Sequence, residues 1–293
     1  MWWVYLLIGL IAVALALLAY WQFVIAEGAY LGARIVALLY DWAAPAYERI
    51  KRFDNEDEQW FLGLPLARAL EPVANPLVLD VGTGTGRLPR ALLFQPAFGG
   101  RVIGVDLSRR MLARAVEMTR PYAEKLTLIW QDAQALPFPD ETFDAVTCLE
   151  MLEFTPNPRA VLEELVRVLR PGGVLLLTNR VGPDARWLPG KAWPRDEFMA
   201  LLQSLPLESI RIRSWQIDYN LAWAIKSGPP RGGGVRPLPH ILRCPFCGHS
   251  PLPVEGGAYA CAGCGRAYPI ARDGVIEMAR PVQRTQAQTA SGE

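Results

Sequence analysis

The sequence predicts an α/β fold: a doubly wound, mostly parallel seven-stranded sheet, with an apolar helix ahead of it and a small cysteine-rich unit behind it. Three observations carry this prediction. Between residues 77 and 180, five short apolar runs alternate with helix-patterned stretches, and strands covered on both faces read as near-continuous apolar runs. The first 26 residues contain no charged side chain. Four cysteines fall in two C-x2-C pairs on either side of residue 250.

Residues 1–26, MWWVYLLIGLIAVALALLAYWQFVIA, are apolar on all sides rather than along one stripe, and about 20 such residues span a bilayer core. A cleaved signal peptide is the alternative, but it calls for a basic front end, a shorter apolar run and a small-residue cleavage site. Here Trp2 and Trp3 lead, and Trp21 sits near the far end like an interfacial anchor. Arg34, Arg49, Lys51 and Arg52 follow the span, so the positive-inside tendency places the rest of the chain in the cytoplasm. The expectation is a single-pass membrane protein with a cytoplasmic α/β domain.

Residues 27–70 have helix-like spacing with aromatics and mixed charges, GAYLGARIVALLYDWAAPAYERIKRF. They are expected to lie against the membrane surface or to cap the next domain. The acidic cluster Asp54, Glu56, Asp57 and Glu58 reads as solvated surface.

Residues 71–226 hold the sheet. LVLDV, RVIGVD, LTLIWQ, FDAVTCL and GVLLLTNR are the five parallel strands. Ser108 caps the helix SRRMLARAVEMTR, and PRAVLEELVRVLR ends at the stop signal Pro171-Gly172-Gly173. LESIRIRSWQIDYNLAWAIK supplies two more strands joined by a tight turn, hence an antiparallel edge. Residues 227–240 are a Gly/Pro-rich linker, residues 241–280 form the cysteine unit, and residues 281–293 have a disordered composition.

The 293 residues carry a net charge of +1, so no long-range field favours nucleic acid or an acidic partner. The five cysteines fit a reducing compartment, where closely spaced thiols read as metal ligands rather than disulfides.

The loop Gly82-Thr83-Gly84-Thr85-Gly86 follows the first strand, at the end of the sheet where ligands sit. A dinucleotide fingerprint asks for Gly or Ala at the sixth position from Gly82, where this chain has Arg87. Asp80 also opposes a pyrophosphate. No Lys-Ser/Thr pair follows the glycines, which excludes a phosphate-loop NTPase. A carboxylate at the loop mouth suits a ligand carrying a cationic amine. Thr83 and Thr85 read as spacers.

LVLDVGTGTGRL, VIGVDLSRRML, WQDAQALPFPDETFDAVTCLEML and LEELVRVLRPGGVLLLTNR resemble the successive motifs of class I S-adenosylmethionine-dependent methyltransferases, in their small-molecule and quinone-methylating branch. The resemblance covers about residues 40–226. It implies a Rossmann-like domain in which Asp80, Gly82, Gly84 and Gly86 hold the methionine part of S-adenosylmethionine. Asp106 would accept from both ribose hydroxyls, Leu107 would lie on the adenine face, and Asp132 with Ala133 would meet the adenine edge. Tyr40, Asp41 and Tyr47 resemble the aromatic-acid segment that closes over the cofactor in relatives.

A sulfonium methyl is already electrophilic, so the protein's task is alignment in a pocket that excludes water. A base is needed only where the acceptor must lose a proton. Many relatives carry a histidine after the fourth strand. This chain has Phe154 there, and its two histidines, His240 and His249, lie beyond the linker. Glu150 and Glu153 are therefore the candidate catalytic carboxylates. No Asn-Pro-Pro-Tyr or Asp-Pro-Pro-Tyr follows the fourth strand, which points away from nucleobase or amide nitrogen and toward carbon or oxygen methylation of a small or lipidic acceptor.

Cys244-x2-Cys247 and Cys261-x2-Cys264, thirteen residues apart and each followed by glycine, can close a structural tetrahedral Zn site. Iron is the alternative metal. The unit resembles the small zinc-binding activator subunit of several tRNA, ribosome and release-factor methyltransferases. That likeness keeps open an RNA or protein acceptor, or a non-catalytic binding module on the same scaffold. Cys148 reads as an inert core thiol.

Overall fold

The computed structural model describes residues 2–51, 55–231, 233–280 and 282–283. Arg52, Asp54 and the tail residues 281 and 284–293 lie outside the described residues. The main sheet contains β1 (Leu77–Val81), β2 (Arg101–Asp106), β3 (Leu126–Trp130), β4 (Phe143–Cys148), β5 (Leu169–Arg180), β6 (Leu207–Trp215) and β7 (Tyr219–Lys226). The cysteine unit contributes β8 (Val254–Glu255), β9 (Ala258–Ala260), β10 (Arg266–Pro269), β11 (Ile276–Glu277) and β12 (Val282–Gln283).

The main sheet has eight strands, one more than the sequence predicts, in the order β11-β3-β2-β1-β4-β5-β7-β6. The extra strand is β11, which pairs parallel to β3 through Ile276↔Ile129 and Glu277↔Trp130. Two residues are too short to read as a strand from sequence, and the β3 edge is what gives them partners. Arg109 fastens the same junction, with ion pairs to Asp273 at 2.8 Å and Glu277 at 3.1 Å. Only β7 runs against the others, between β5 and β6.

The chain steps outward from β1 to β2 and β3, then crosses back to β4 beside β1. The order reverses there, and the carboxyl ends of β1 and β4 flank the resulting crevice. Every residue of β1 and β4 is buried, which is why neither alternates polar with apolar. Ser108 caps its helix as expected, accepting from the Met111 N–H at 3.1 Å. Helix Pro158–Val168 buries Val161, Leu162 and Leu165 against the sheet.

Three expectations need correction. The helix expected to end at Pro171-Gly172-Gly173 stops at Val168, and β5 runs through the triplet with Gly172 at φ +78°. The 227–240 segment is held rather than free. Asp144 accepts from Gly234 N–H (3.0 Å) and Leu77 N–H (2.8 Å), and it pairs with Arg170 at 2.5 Å. One buried acid thus ties the segment to the amino ends of the strands. Val282–Gln283, expected to be disordered, pairs with β10.

Ahead of the sheet, Trp2–Ile25 forms a 24-residue helix with no buried residue in Trp2–Tyr20. At 1.5 Å per residue it is about 36 Å long, enough for a bilayer core of about 30 Å. Its last turn meets the domain: Trp21 stacks on Tyr30 with ring centroids 5.1 Å apart, and its Nε1–H donates to Trp187 O at 3.0 Å. Helix Ala33–Ala43 and the turn Tyr47–Lys51 then lie over the crevice.

Candidate active site

The glycine loop sits where β1 meets the crevice. Gly82, Gly84 and Gly86 have φ of +73°, +53° and +82°, the left-handed region that costs glycine nothing. A Cβ on Gly82 would lie 2.5 Å from Met151 Cγ, and one on Gly86 would lie 2.6 Å from Thr119 Cγ2. A Cβ on Gly84 would meet only the Gly82 carbonyl, at 4.0 Å. Packing therefore requires two of the glycines, whereas the third faces open space.

Asp106, at the tip of β2, holds this loop. Its Oδ2 accepts from Gly84 N–H and its Oδ1 from Ser108 N–H, both at 2.8 Å. Each oxygen keeps a lone pair for a further donor, so the carboxylate can receive a vicinal diol while fixing the backbone beside it. Burial pushes the Asp106 carboxyl up to about 6.

The cleft above these strand tips is partly open to solvent and has a cavity volume of about 110 Å³. Gly82, Gly84, Asp106, Leu107, Asp132 and Ala133 line it from the sheet side. Ala33, Val36, Ala37, Tyr40 and Tyr47 line it from the covering helices, and Met151 and Phe154 from the segment after β4. A smaller pocket of about 30 Å³ shares Gly82, Gly84, Tyr47 and Glu150 and adds Asp80. Asp80 is buried, accepts from the Thr147 hydroxyl at 2.7 Å, and is pushed up to about 6 by burial. Seven of the eight residues expected to bind the cofactor thus line two joined pockets. The eighth, Gly86, lines neither and serves loop packing.

The lining suits a ligand that carries a cationic amine, a vicinal diol and a flat ring. A buried acid beyond the loop can meet an amine, Asp106 can meet a diol, and Leu107 with the Asp132 and Ala133 segment offers an apolar wall with a polar edge. Asp132 accepts from Gln134 N–H at 2.9 Å, which fixes its carboxylate at the cleft margin.

Glu150 and Glu153 are placed differently. Glu150 lines the cleft at φ +51°, and its carboxylate pairs with Arg87 at 2.5 Å and Lys51 at 3.4 Å. Glu153 is buried, does not line the cleft, and accepts from the Tyr219 hydroxyl at 2.7 Å. Burial pushes its carboxyl up to about 7.

Several functional contacts are not visible in the sequence. Arg87, noted only as a break in a dinucleotide pattern, also pairs with Glu58 at 2.6 Å. Glu58 is therefore a buried partner, not the solvated surface acid its neighbours suggested. Thr85 donates to Glu48 and so ties the loop to the covering helices, instead of acting as a spacer. Asp41 accepts from the Ser108 hydroxyl at 2.6 Å and from Arg110 N–H at 3.0 Å. The Tyr40 hydroxyl donates to Glu27 at 3.0 Å.

The four cysteine sulfurs, of Cys244, Cys247, Cys261 and Cys264, all lie within 4.8 Å of one another. The Cys247–Cys261 and Cys244–Cys264 pairs are 3.4 and 3.7 Å apart. A tetrahedron with Zn–S bonds of about 2.3 Å puts its sulfurs roughly 3.8 Å apart, so the donor set fits a closed four-thiolate metal site. The knuckles match each other: Gly248 N–H donates to Cys244 O at 2.9 Å and Gly265 N–H to Cys261 O at 3.0 Å.

Residues 79–177 match the family described as methyltransferase domain. That match spans about a third of the chain. Over 145 residues it is 34% identical to a demethylmenaquinone methyltransferase of Clavibacter sepedonicus, covering 48% of this chain and 56% of that one. Over 111 residues it is 40% identical to a phosphatidylethanolamine N-methyltransferase of Cereibacter sphaeroides, covering 36% of this chain and 52% of that one. The chain thus spans about half the length of these curated relatives. The crystal structure of the cyclase SpnF superposes with a TM-score of 0.56 at 18% identity, over 67% of this chain and 96% of that one. At that identity the likeness establishes the Rossmann-like methyltransferase fold and not the reaction.

Proposed function

We propose that this chain is an S-adenosylmethionine-dependent methyltransferase that methylates carbon or oxygen of a small or lipidic acceptor at the cytoplasmic face of a membrane. The observation that carries the reading is the Asp106 carboxylate, bonded to the Gly84 and Ser108 amides at 2.8 Å and lining the cleft. S-adenosylmethionine supplies the electrophilic methyl; the chain's own residues bind, orient and exclude water.

Asp80 holds the amine end beside the open Gly84 position. Asp106 receives the ribose hydroxyls, Leu107 covers the adenine face, and Asp132 and Ala133 meet its edge. Tyr40 and Tyr47 close the cleft from the covering helices. Glu150, shared between Arg87 and Lys51, is the orienting carboxylate of the acceptor side. Where a proton must be taken, Glu150 is the carboxylate placed to take it, because it lines the cleft, whereas Glu153 lies buried outside the cleft against the Tyr219 hydroxyl.

A lipidic acceptor is supported by the quinone and phospholipid named for the two relatives and by the length and apolarity of Trp2–Ile25. The cytoplasmic orientation rests on the basic residues after the span, and the four-thiolate ribbon accords with it. Zinc in that ribbon is structural: β11 continues the main sheet, so the ribbon acts as a brace at its edge. Nucleic acid is not a partner in this reading.

The test is transfer of radiolabelled methyl by the purified full chain to a membrane lipid extract, to total RNA and to protein. Label in the lipid fraction is expected. Label confined to RNA or protein contradicts the proposal.

A further inference from the structure

Outside the N-terminal helix, several large apolar side chains that remain exposed, Leu38, Trp42, Ile50, Trp187 and Ile217 among them, belong to elements beside the cleft. Helix Ala33–Ala43 turns Val36, Ala37 and Tyr40 toward the cleft. Its other face carries Leu38 and Trp42, 61% and 81% exposed. Arg34 lies one turn before Leu38 on the same helix, and Arg49 and Ile50, in the next helical turn Tyr47–Lys51, are exposed as well.

The sheet side of the mouth adds to it. The turn between β6 and β7 leaves Ile217 90% exposed. Val181 N–H donates to Asp218 O at 2.7 Å, which puts this turn at the carboxyl end of β5, the cleft-bearing end of the sheet. The loop after β5 holds Trp187 half exposed, with the Arg186 guanidinium 5.8 Å from its ring.

This rim is tied to the N-terminal helix. Trp21 Nε1–H donates to Trp187 O, and the Tyr30 hydroxyl donates to Pro189 O, both at 3.0 Å. Lys191 Nζ lies 5.2 Å from the Tyr30 ring centroid and donates to the carbonyls of Thr155 and Pro156, which line the cleft. The end of the apolar helix, the loop after β5 and the cleft wall are therefore one connected unit.

We propose that the rim formed by Leu38, Trp42, Ile50, Trp187 and Ile217 docks into the interfacial layer of an anionic bilayer, so that the cleft opens onto lipid. Tryptophan and aliphatic side chains partition into that layer while nearby arginines meet lipid phosphates. The occupant follows from continuity: the 24-residue helix ends on the same rim. An acceptor with a long apolar chain reaches the cleft from the bilayer plane, without exposing that chain to water. The proposal rests on reading Trp2–Ile25 as a membrane span.

The experiment places p-benzoylphenylalanine singly at Leu10, Trp42, Ile217 and Phe94 of the full chain, in vesicles of phosphatidylglycerol and phosphatidylcholine. All four side chains are exposed, at 60%, 81%, 90% and 54%, so the replacements leave the core intact. After illumination, lipid adducts are counted by mass spectrometry. Adducts at positions 10, 42 and 217 several-fold above those at 94 are expected. Adducts at 10 but only the level of 94 at 42 and 217 overturn the rim while leaving the span. No adducts at 10 overturn the span and the rim with it. Adducts at 42 and 217 in protein that fails to transfer methyl uphold the rim and refute the proposed reaction instead.

Discussion

Arg87 and Glu150 form a 2.5 Å ion pair that joins the helix after the glycine loop to the segment after β4. The two segments flank the point where strand order reverses, so the pair fixes the width of the crevice between them. Glu58 closes the set on the other side of the guanidinium at 2.6 Å.

Arg87→Met leaves the buried Glu58 carboxylate without its guanidinium. Removing one partner of a buried pair costs about 3–5 kcal/mol, so urea unfolding should show a loss of that order. Glu150→Gln should cost far less, because a neutral amide can still accept from Arg87.

Two glycine variants separate folding from binding. Gly82→Ala drives a Cβ to 2.5 Å from Met151 and should lower the melting temperature. Gly84→Ala meets nothing closer than 4.0 Å and carries only the strain of a left-handed φ of +53°, so it should lower the melting temperature less than Gly82→Ala while abolishing S-adenosylmethionine binding in calorimetry.

Cofactor affinity should depend on pH through Asp80 and Asp106, each pushed up to about 6 by burial. In the free protein their ionisation becomes a cost to stability as pH rises through 6, because burial disfavours the charged form. An amine and two hydroxyl donors favour the carboxylates, so binding near pH 6 releases protons. Affinity should therefore fall by up to about tenfold per pH unit per acid below 6. Calorimetry in two buffers of different ionisation enthalpy measures both effects.

Glu153 lies outside the cleft, so a proton would reach it only by relay; if it does, its carboxyl near 7 must be ionised first. The methyl-transfer rate should then rise with pH through about 7 and level off above it. Glu153→Gln should remove that inflection, and an unchanged profile in the variant excludes Glu153 as the base.

Metal analysis of the purified chain should give one zinc per molecule. Stripping it with a chelator, or Cys261→Ser, should free the ribbon, and with it β11 and the Asp273 and Glu277 partners of Arg109. Hydrogen exchange should then speed up at β3 as well as in the ribbon.

The parallel core was legible because β1 and β4 are buried on both faces and so read as unbroken apolar runs. The glycine loop, Asp106 and the cysteine pairs were legible because each is a local pattern whose chemistry needs those residues at that spacing. What could not be read depends on contacts between distant segments. Ile276–Glu277 becomes a strand only because the β3 edge accepts it. Glu58 becomes buried only because Arg87 lies 29 positions away in sequence and 2.6 Å away in space. Asp144 looks like an ordinary strand acid until the segment at Gly234 folds back onto it.

The most direct test of the whole account is calorimetric titration of the full chain, folded in detergent or vesicles, with S-adenosylmethionine and with S-adenosylhomocysteine. One saturable site that is lost in Asp106→Ala is the predicted result. Absence of heat with either compound, together with saturable binding of a nicotinamide or flavin nucleotide, would contradict it.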